Sequence, residues 1–107
     1  IDTLDHARFG VLFLNRGRWG DRQLISQRWI DMMTTPCGLN DQYGYMWWLN
    51  TGFARYGREM SESTFAASGA GGNSVVIDPH KKLVIVTRWC EDVEGVVGLV
   101  SQAVNGR

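Results

Sequence analysis

Apolar residues along this chain change their period several times, and each change marks an element. Leu4, Ala7, Val11 and Leu14 recur at helical spacing, and Phe9, Leu12 and Phe13 widen the same face. Asp2 or Thr3 is placed to cap this helix. Asn15-Arg16-Gly17 is placed to end it, with Gly17 suited to the left-handed C′ position. A turn follows through residues 18–22. Ser26 then reads as an N-cap, with Ile25 and Ile30 at the spacing of a hydrophobic staple. That second helix carries Trp29, Ile30, Met32 and Met33 and stops before Pro36, because the residue ahead of a proline is pushed out of the helical region.

Beyond Pro36 the period shortens. Tyr43-Gly44-Tyr45-Met46-Trp47-Trp48-Leu49-Asn50 is aromatic and reads as a strand. Alternation would put Tyr45 and Trp47 on one face and Met46 and Trp48 on the other. Such aromatics are more often core or cross-strand partners than the lining of a cleft; as cleft candidates, Tyr45 and Trp47 form the pair to watch. Residues 51–63 are polar and read as a loop or wide hairpin, with Arg55, Arg58, Glu59 and Glu62 solvated. Residues 65–69, 74–78 and 83–90 read as three strands joined by short turns, hence antiparallel. Asp78-Pro79-His80-Lys81 is a strong turn, since Pro presets φ at its second position. Leu83-Val84-Ile85-Val86 is a continuous apolar run, as expected of a strand covered on both faces. A final helix spans about residues 92–104, with Val93, Val96, Val97, Val100 and Val104 in one stripe. Gly95 and Gly98 each cost about 1 kcal/mol of helix propensity, which predicts a compensating close approach to the sheet. The order is α+β: an antiparallel sheet with two N-terminal helices and a C-terminal helix packed on it, 1–107 forming a single unit.

With 107 residues the chain has room for one domain. Lys plus Arg and Asp plus Glu both count 11, so there is no basic surplus of the kind nucleic acid demands. No apolar run reaches the length of a membrane span, and no signal-peptide pattern opens the chain. Ile1 is not an initiator Met, so the chain reads as a recombinant piece, a processed product or a fragment, and the compartment stays open. Cys37 and Cys90 lack metal-ligand spacing, and with His6 and His80 as the only histidines no metal or other cofactor is expected. A Cys37–Cys90 disulfide is open in an oxidising compartment. His80 falls in the solvated turn and His6 in the exposed first turn of a helix, and neither has a nucleophile beside it in sequence.

The most informative stretch is Phe65-Ala66-Ala67-Ser68-Gly69-Ala70-Gly71-Gly72-Asn73. A strand ending in Ser-Gly-Ala-Gly-Gly has stopped filling a core and lays bare backbone that another group can approach. It is either a tight hairpin or the wall of a binding site. A phosphate cradle fits less well, because no Gly-Lys-Ser/Thr follows.

Four stretches together resemble a family. Asp5-His6-Ala7-Arg8-Phe9-Gly10 with Asn15-Arg16-Gly17-Arg18-Trp19 resembles "D-L-A-R-F-G … N-G-G-x-W". Gln23-Leu24-Ile25-Ser26-Gln27-Arg28-Trp29 resembles "L-L-S-P-E-W", and Tyr43-Gly44-Tyr45-Met46-Trp47-Trp48 resembles "Y-G-Y-G-W-W". The run from Phe65 to Asn73, continued through Ile77-Asp78-Pro79 to Leu83-Val84-Ile85-Val86, resembles the strand pair with the third catalytic motif of that family. The order and spacing resemble the C-terminal part of serine β-lactamase-like hydrolases: class C β-lactamases, penicillin-binding-protein-type peptidases and related esterases and amidases. The implied fold is part of a β-lactamase/transpeptidase-like fold.

That family builds its site from S-x-x-K, then Y-x-N or S-x-N, then a K-T-G-type triplet on an edge strand. The resemblance places only the triplet here, as Ala67-Ser68-Gly69, with Ala70 after it to offer its N–H to an oxyanion hole. Ala67 stands where the family carries Lys or His. No Ser has Lys three positions on, and no Tyr has Asn two positions on. Covalent serine catalysis needs a hydroxyl with an adjacent base, so the nucleophile motif is absent. The resemblance therefore implies a serine hydrolase parent acting on a small-molecule amide or ester. In it this chain would supply the oxyanion and substrate-binding strand, Ser68, Gly69 and Ala70, and would be inactive alone. The alternative is a small non-enzymatic α+β module that binds a partner through an exposed sheet edge. An S-x-x-K upstream of Ile1 would separate the two. On the fragment reading the strand at 83–89 lacks its neighbour, which predicts self-association.

Overall fold

The computed structural model describes residues 2–105, and its elements follow the predicted order. Helix α1 spans Thr3–Leu14, and the Asp2 carboxylate accepts the Asp5 N–H at 2.8 Å to cap it. It ends in a Schellman motif: the Gly17 N–H reaches the Leu12 carbonyl and the Arg16 N–H the Phe13 carbonyl. The left-handed C′ residue is therefore Arg16, at φ 57°, with Gly17 following at φ 85°. Gly17 is needed for a different reason than expected, since a Cβ there would run into the Ile25 carbonyl oxygen. The predicted turn at 18–22 is a small hairpin of β1 (Arg18–Trp19) and β2 (Arg22–Gln23). Helix α2 spans Gln27–Met33, capped by the Ser26 hydroxyl as read from sequence.

The aromatic segment departs from its prediction. Only Trp48–Leu49 is a strand, β3. Tyr43 bridges back to Trp48, and Gly44 N–H donates to the Trp47 carbonyl, so the segment folds on itself around Tyr45 and Met46. The cause lies in α2. The Met33 carbonyl at its end accepts the Tyr45 N–H, and it sits where a Cβ on residue 44 would be, so only Gly allows the approach. A backbone group satisfied by a helix end is not available to a sheet ladder.

The main sheet is antiparallel in the order β3-β4-β5-β6, with β4 at Phe65–Gly69, β5 at Asn73–Asp78 and β6 at Leu83–Thr87. Its register sets Ala67 opposite Val75 and Val75 opposite Val86, so these three share a face, while Ala66, Val76 and Ile85 share the other. The first face packs on α1 and α2 through Phe13, Ile30, Met33, Trp47 and Phe65. The second packs on α3, Val93–Asn105, through Val97, with Tyr56 and Met60 from the polar loop. The run 83–86 is thus covered on both faces, as predicted. α1 comes close to the sheet at Gly10, where a Cβ would lie 2.6 Å from a Val84 methyl. The close approach expected of Gly95 and Gly98 is absent. A Cβ at Gly98 meets nothing, and one at Gly95 meets only the Asp92 carboxylate that accepts the Gly95 N–H at 3.0 Å.

The 51–63 loop is more ordered than a solvated loop. Asn50 is fully buried; its Oδ1 accepts the Arg55 and Tyr56 N–H groups, and its Nδ2 donates to the Gly57 and Ser61 carbonyls. Arg55 lies over the Trp48 ring at 4.6 Å and Arg58 over Phe53 at 4.5 Å, so neither is simply solvated. Both cysteines are free.

Candidate active-site cleft

The hairpin of β4 and β5 closes through Ala70, Gly71 and Gly72, with φ of 87° and 75° at the two glycines. Side chains lock this turn to the end of β6. The Asn73 Nδ2 donates to the Ala70 carbonyl at 2.9 Å, and its Oδ1 accepts the Trp89 N–H at 3.0 Å. The Gly72 carbonyl accepts the Thr87 hydroxyl at 2.9 Å and the Cys90 N–H at 3.3 Å. A Cβ at residue 72 would collide with the Cys90 carbonyl oxygen. The glycine run is thus the turn of a tight hairpin. It lets the β4 end, the turn and the β6 end meet, and it leaves Ser68, Gly69 and Ala70 exposed.

Beside them opens a cleft of about 320 Å³ between the start of α1 and the ends of β4–β6. His6 and Phe9 form one wall, Ala67, Ser68 and Gly69 another, and Asn73 and Arg88 line it as well. His6 was expected to be exposed and idle. It is half-buried, with Nδ1 3.5 Å from the Arg88 Nη1. Among the described residues, none that lines the cleft is acidic. Ala67 carries no charge, and Arg88 brings a positive one to the same cleft. Sequence alone sets His6 aside and does not pair it with Arg88, because 82 positions separate them and only the packing of α1 across β6 joins them.

The candidate residues are brought together only in part. Ser68 and Gly69 line the cleft, and Ala70 follows them in the exposed turn without lining it. Trp47 does not line one: it is 4% exposed and packs on Phe9, Phe13 and Phe65. Tyr45 shares no face with it and opens instead onto a separate groove with Arg28, Met32 and Cys37. The structure adds one Ser–Lys contact, Ser101 Oγ to Lys81 Nζ at 2.5 Å. Ser101 is fully buried and its hydroxyl donates to the Glu59 carbonyl, so this pair ties α3 to the loop and offers no nucleophile. Among the described residues no group of three or more His, Cys, Asp or Glu could hold a metal.

In fold and in sequence the chain resembles the serine β-lactamase-like hydrolases. No family model matches the chain. Over 88 residues it is 33% identical to an Escherichia coli O157:H7 protein named "Putative D-alanyl-D-alanine carboxypeptidase", a match covering 79% of this chain and 20% of that protein. Its fold matches the solved structure named "Putative 6-aminohexanoate-dimer hydrolase from Bacillus anthracis" with a TM-score of 0.65 and 20% identity, covering 97% of this chain and 29% of that one. The chain thus spans a minor part of the length of each. Both relatives are members of the serine β-lactamase and penicillin-binding-protein family.

Proposed function

We propose that this chain is the C-terminal segment of a β-lactamase-related serine hydrolase that cleaves an amide or ester through an acyl-enzyme. The segment supplies the oxyanion and substrate-binding strand, and the nucleophilic Ser with its Lys lies elsewhere in the protein. The observation that carries this reading is the exposed run Ser68-Gly69-Ala70 beside a cleft without acidic residues. A carbonyl oxygen gaining negative charge is stabilised by preorganised N–H donors aimed at it, which an exposed strand end can offer, and a nearby carboxylate would oppose it.

The chain alone is expected to show no hydrolysis of a chromogenic lactam or an activated ester above a control with an inert protein. Turnover that Ser68→Ala abolishes would instead make Ser68 a nucleophile. In the full-length protein Ser68→Ala is expected to lower kcat/KM by about tenfold with little change in Tm, the effect of losing one hydrogen bond to a charged group. Gly69→Val is expected to cost more, because its side chain would stand on the strand edge beside the substrate. Unchanged kinetics in both variants would reduce the triplet to a turn.

A second reading, a module that binds a partner through its sheet edge, is supported by the position of β6 at the end of the strand order. An apolar edge strand recruits other chains. The fragment reading, on which β6 lacks its neighbour, instead expects dimers or larger species in light scattering of the chain at micromolar concentration. A clean monomer with a cooperative melt would favour a self-sufficient domain.

A further inference from the structure

Trp89 combines a left-handed backbone with an exposed aromatic side chain. Its φ is 52°, a left-handed conformation that is unusual for a bulky aromatic residue. Its side chain is 73% exposed, so burial does not compensate for that conformation. The ring lies over the glycine turn: a Cβ on Gly71 would be 2.5 Å from the Trp89 Cζ3. The residue is pinned by Asn73, which also lines the cleft, and it follows Arg88, another cleft residue. Held strain of this kind gathers where a ligand is gripped.

We propose that Trp89 is a specificity-determining residue whose ring extends the cleft wall into a flat apolar shelf. It receives a planar or bulky apolar group of the substrate, such as an aromatic acyl group. The proposal rests on the hydrolase reading for the word substrate, but not for binding itself. Three features give it that role. The ring is large and its outer face open, so stacking removes apolar area from both partners. Gly71, lacking a side chain, lets the ring come close against the turn, and that contact restricts the ring before a ligand arrives, so less rotamer entropy is lost on binding. Asn73 couples the turn and the Trp89 backbone, so the shelf and the strand end keep one spacing.

The test is binding to the chain by two-dimensional ¹H–¹⁵N NMR, with N-benzoylglycinamide compared with N-acetylglycinamide; the Trp89 indole signal is assigned from Trp89→Phe. The benzoyl compound is expected to move the Trp89 indole and the backbone signals of residues 69–73, and to bind about fivefold more tightly than the acetyl compound. Trp89→Ala is expected to erase that preference and Trp89→Phe to keep most of it. If Trp89→Ala fails to fold, Trp89→Leu, which still covers Gly71 but lacks the flat ring, is expected to erase it instead. Equal binding of the two compounds, or a preference that survives the loss of the ring, overturns the proposal. Kinetics of the full-length protein separate it from the hydrolase reading. No turnover of either amide or its ester, with the binding preference intact, leaves the shelf standing and removes the hydrolase. Turnover with equal KM for benzoyl and acetyl esters does the reverse.

Discussion

Asp78→Ala is expected to lower stability by about 3 kcal/mol, a fall in Tm of about 15 °C. Asp78 is fully buried at the end of β5, and its carboxylate organises three segments. Oδ1 accepts the Ser61 hydroxyl at 2.6 Å and the Lys81 N–H at 3.1 Å, and Oδ2 accepts the Ser61 N–H at 2.9 Å. Truncation would leave two backbone N–H groups without an acceptor. Asp78→Asn keeps the Oδ1 bonds but sets an amide donor against the Ser61 N–H, so it is expected to cost less than the alanine change. Burial alone would raise the Asp78 pKa. The bonds from the Ser61 side chain, the Ser61 and Lys81 backbones and the Thr64 hydroxyl together outweigh it and hold the pKa below its ordinary value of 3.8. A carboxylate with a lowered native pKa contributes stability that is full above the unfolded value and lost as pH falls through the native one. Thermal melts from pH 7 to pH 2 should therefore converge for the wild type and Asp78→Asn at the acid end. Parallel curves would remove the ionised carboxylate from the account.

Gly72→Ala is expected to be of similar size, about 3 kcal/mol, and to damage the cleft as well. At φ 75° an alanine is strained before any contact, and its Cβ would collide with the Cys90 carbonyl oxygen, which belongs to the backbone and has nowhere to go. The turn would separate from the β6 end, breaking the Gly72 bonds to Thr87 and Cys90 and loosening Asn73 from Trp89. A melt shows the first effect. Chemical-shift changes spread over residues 67–73 and 87–90 show the second. A small Tm change confined to residue 72 would mean that the turn is not held as described. Gly20→Ala serves as the control, since a Cβ there meets nothing although φ is also positive, at 61°.

How much of this was written in the chain differs by element. The Ser26 N-cap, an N-cap at Asp2 or Thr3 and the three closing strands before α3 follow from local rules: short polar residues cap helices, and strands alternate between turns. The glycine run was readable as a bared strand end, and Ser68, Gly69 and Ala70 were placed together by adjacency alone. The aromatic segment was misread because its rule was local and its cause was not. Alternation assumes a sheet partner, whereas the Met33 carbonyl captured the Tyr45 N–H and turned the chain back, sending Trp47 into the core and Tyr45 to the surface. The same limit applies to Gly98, whose presence suggested a close approach that α1 makes at Gly10 instead.

The sequence by itself determined the element order, the antiparallel sheet and the exposed strand end, because each depends on residues a few positions apart. Only the tertiary structure decided that His6 and Arg88 face one cleft, that Asp78 anchors the Ser61 loop, and that Trp89 lies over Gly71. Those contacts join residues 17 to 82 positions apart, and a period of two or 3.6 carries no information about which distant surfaces meet. Packing across the sheet supplies it.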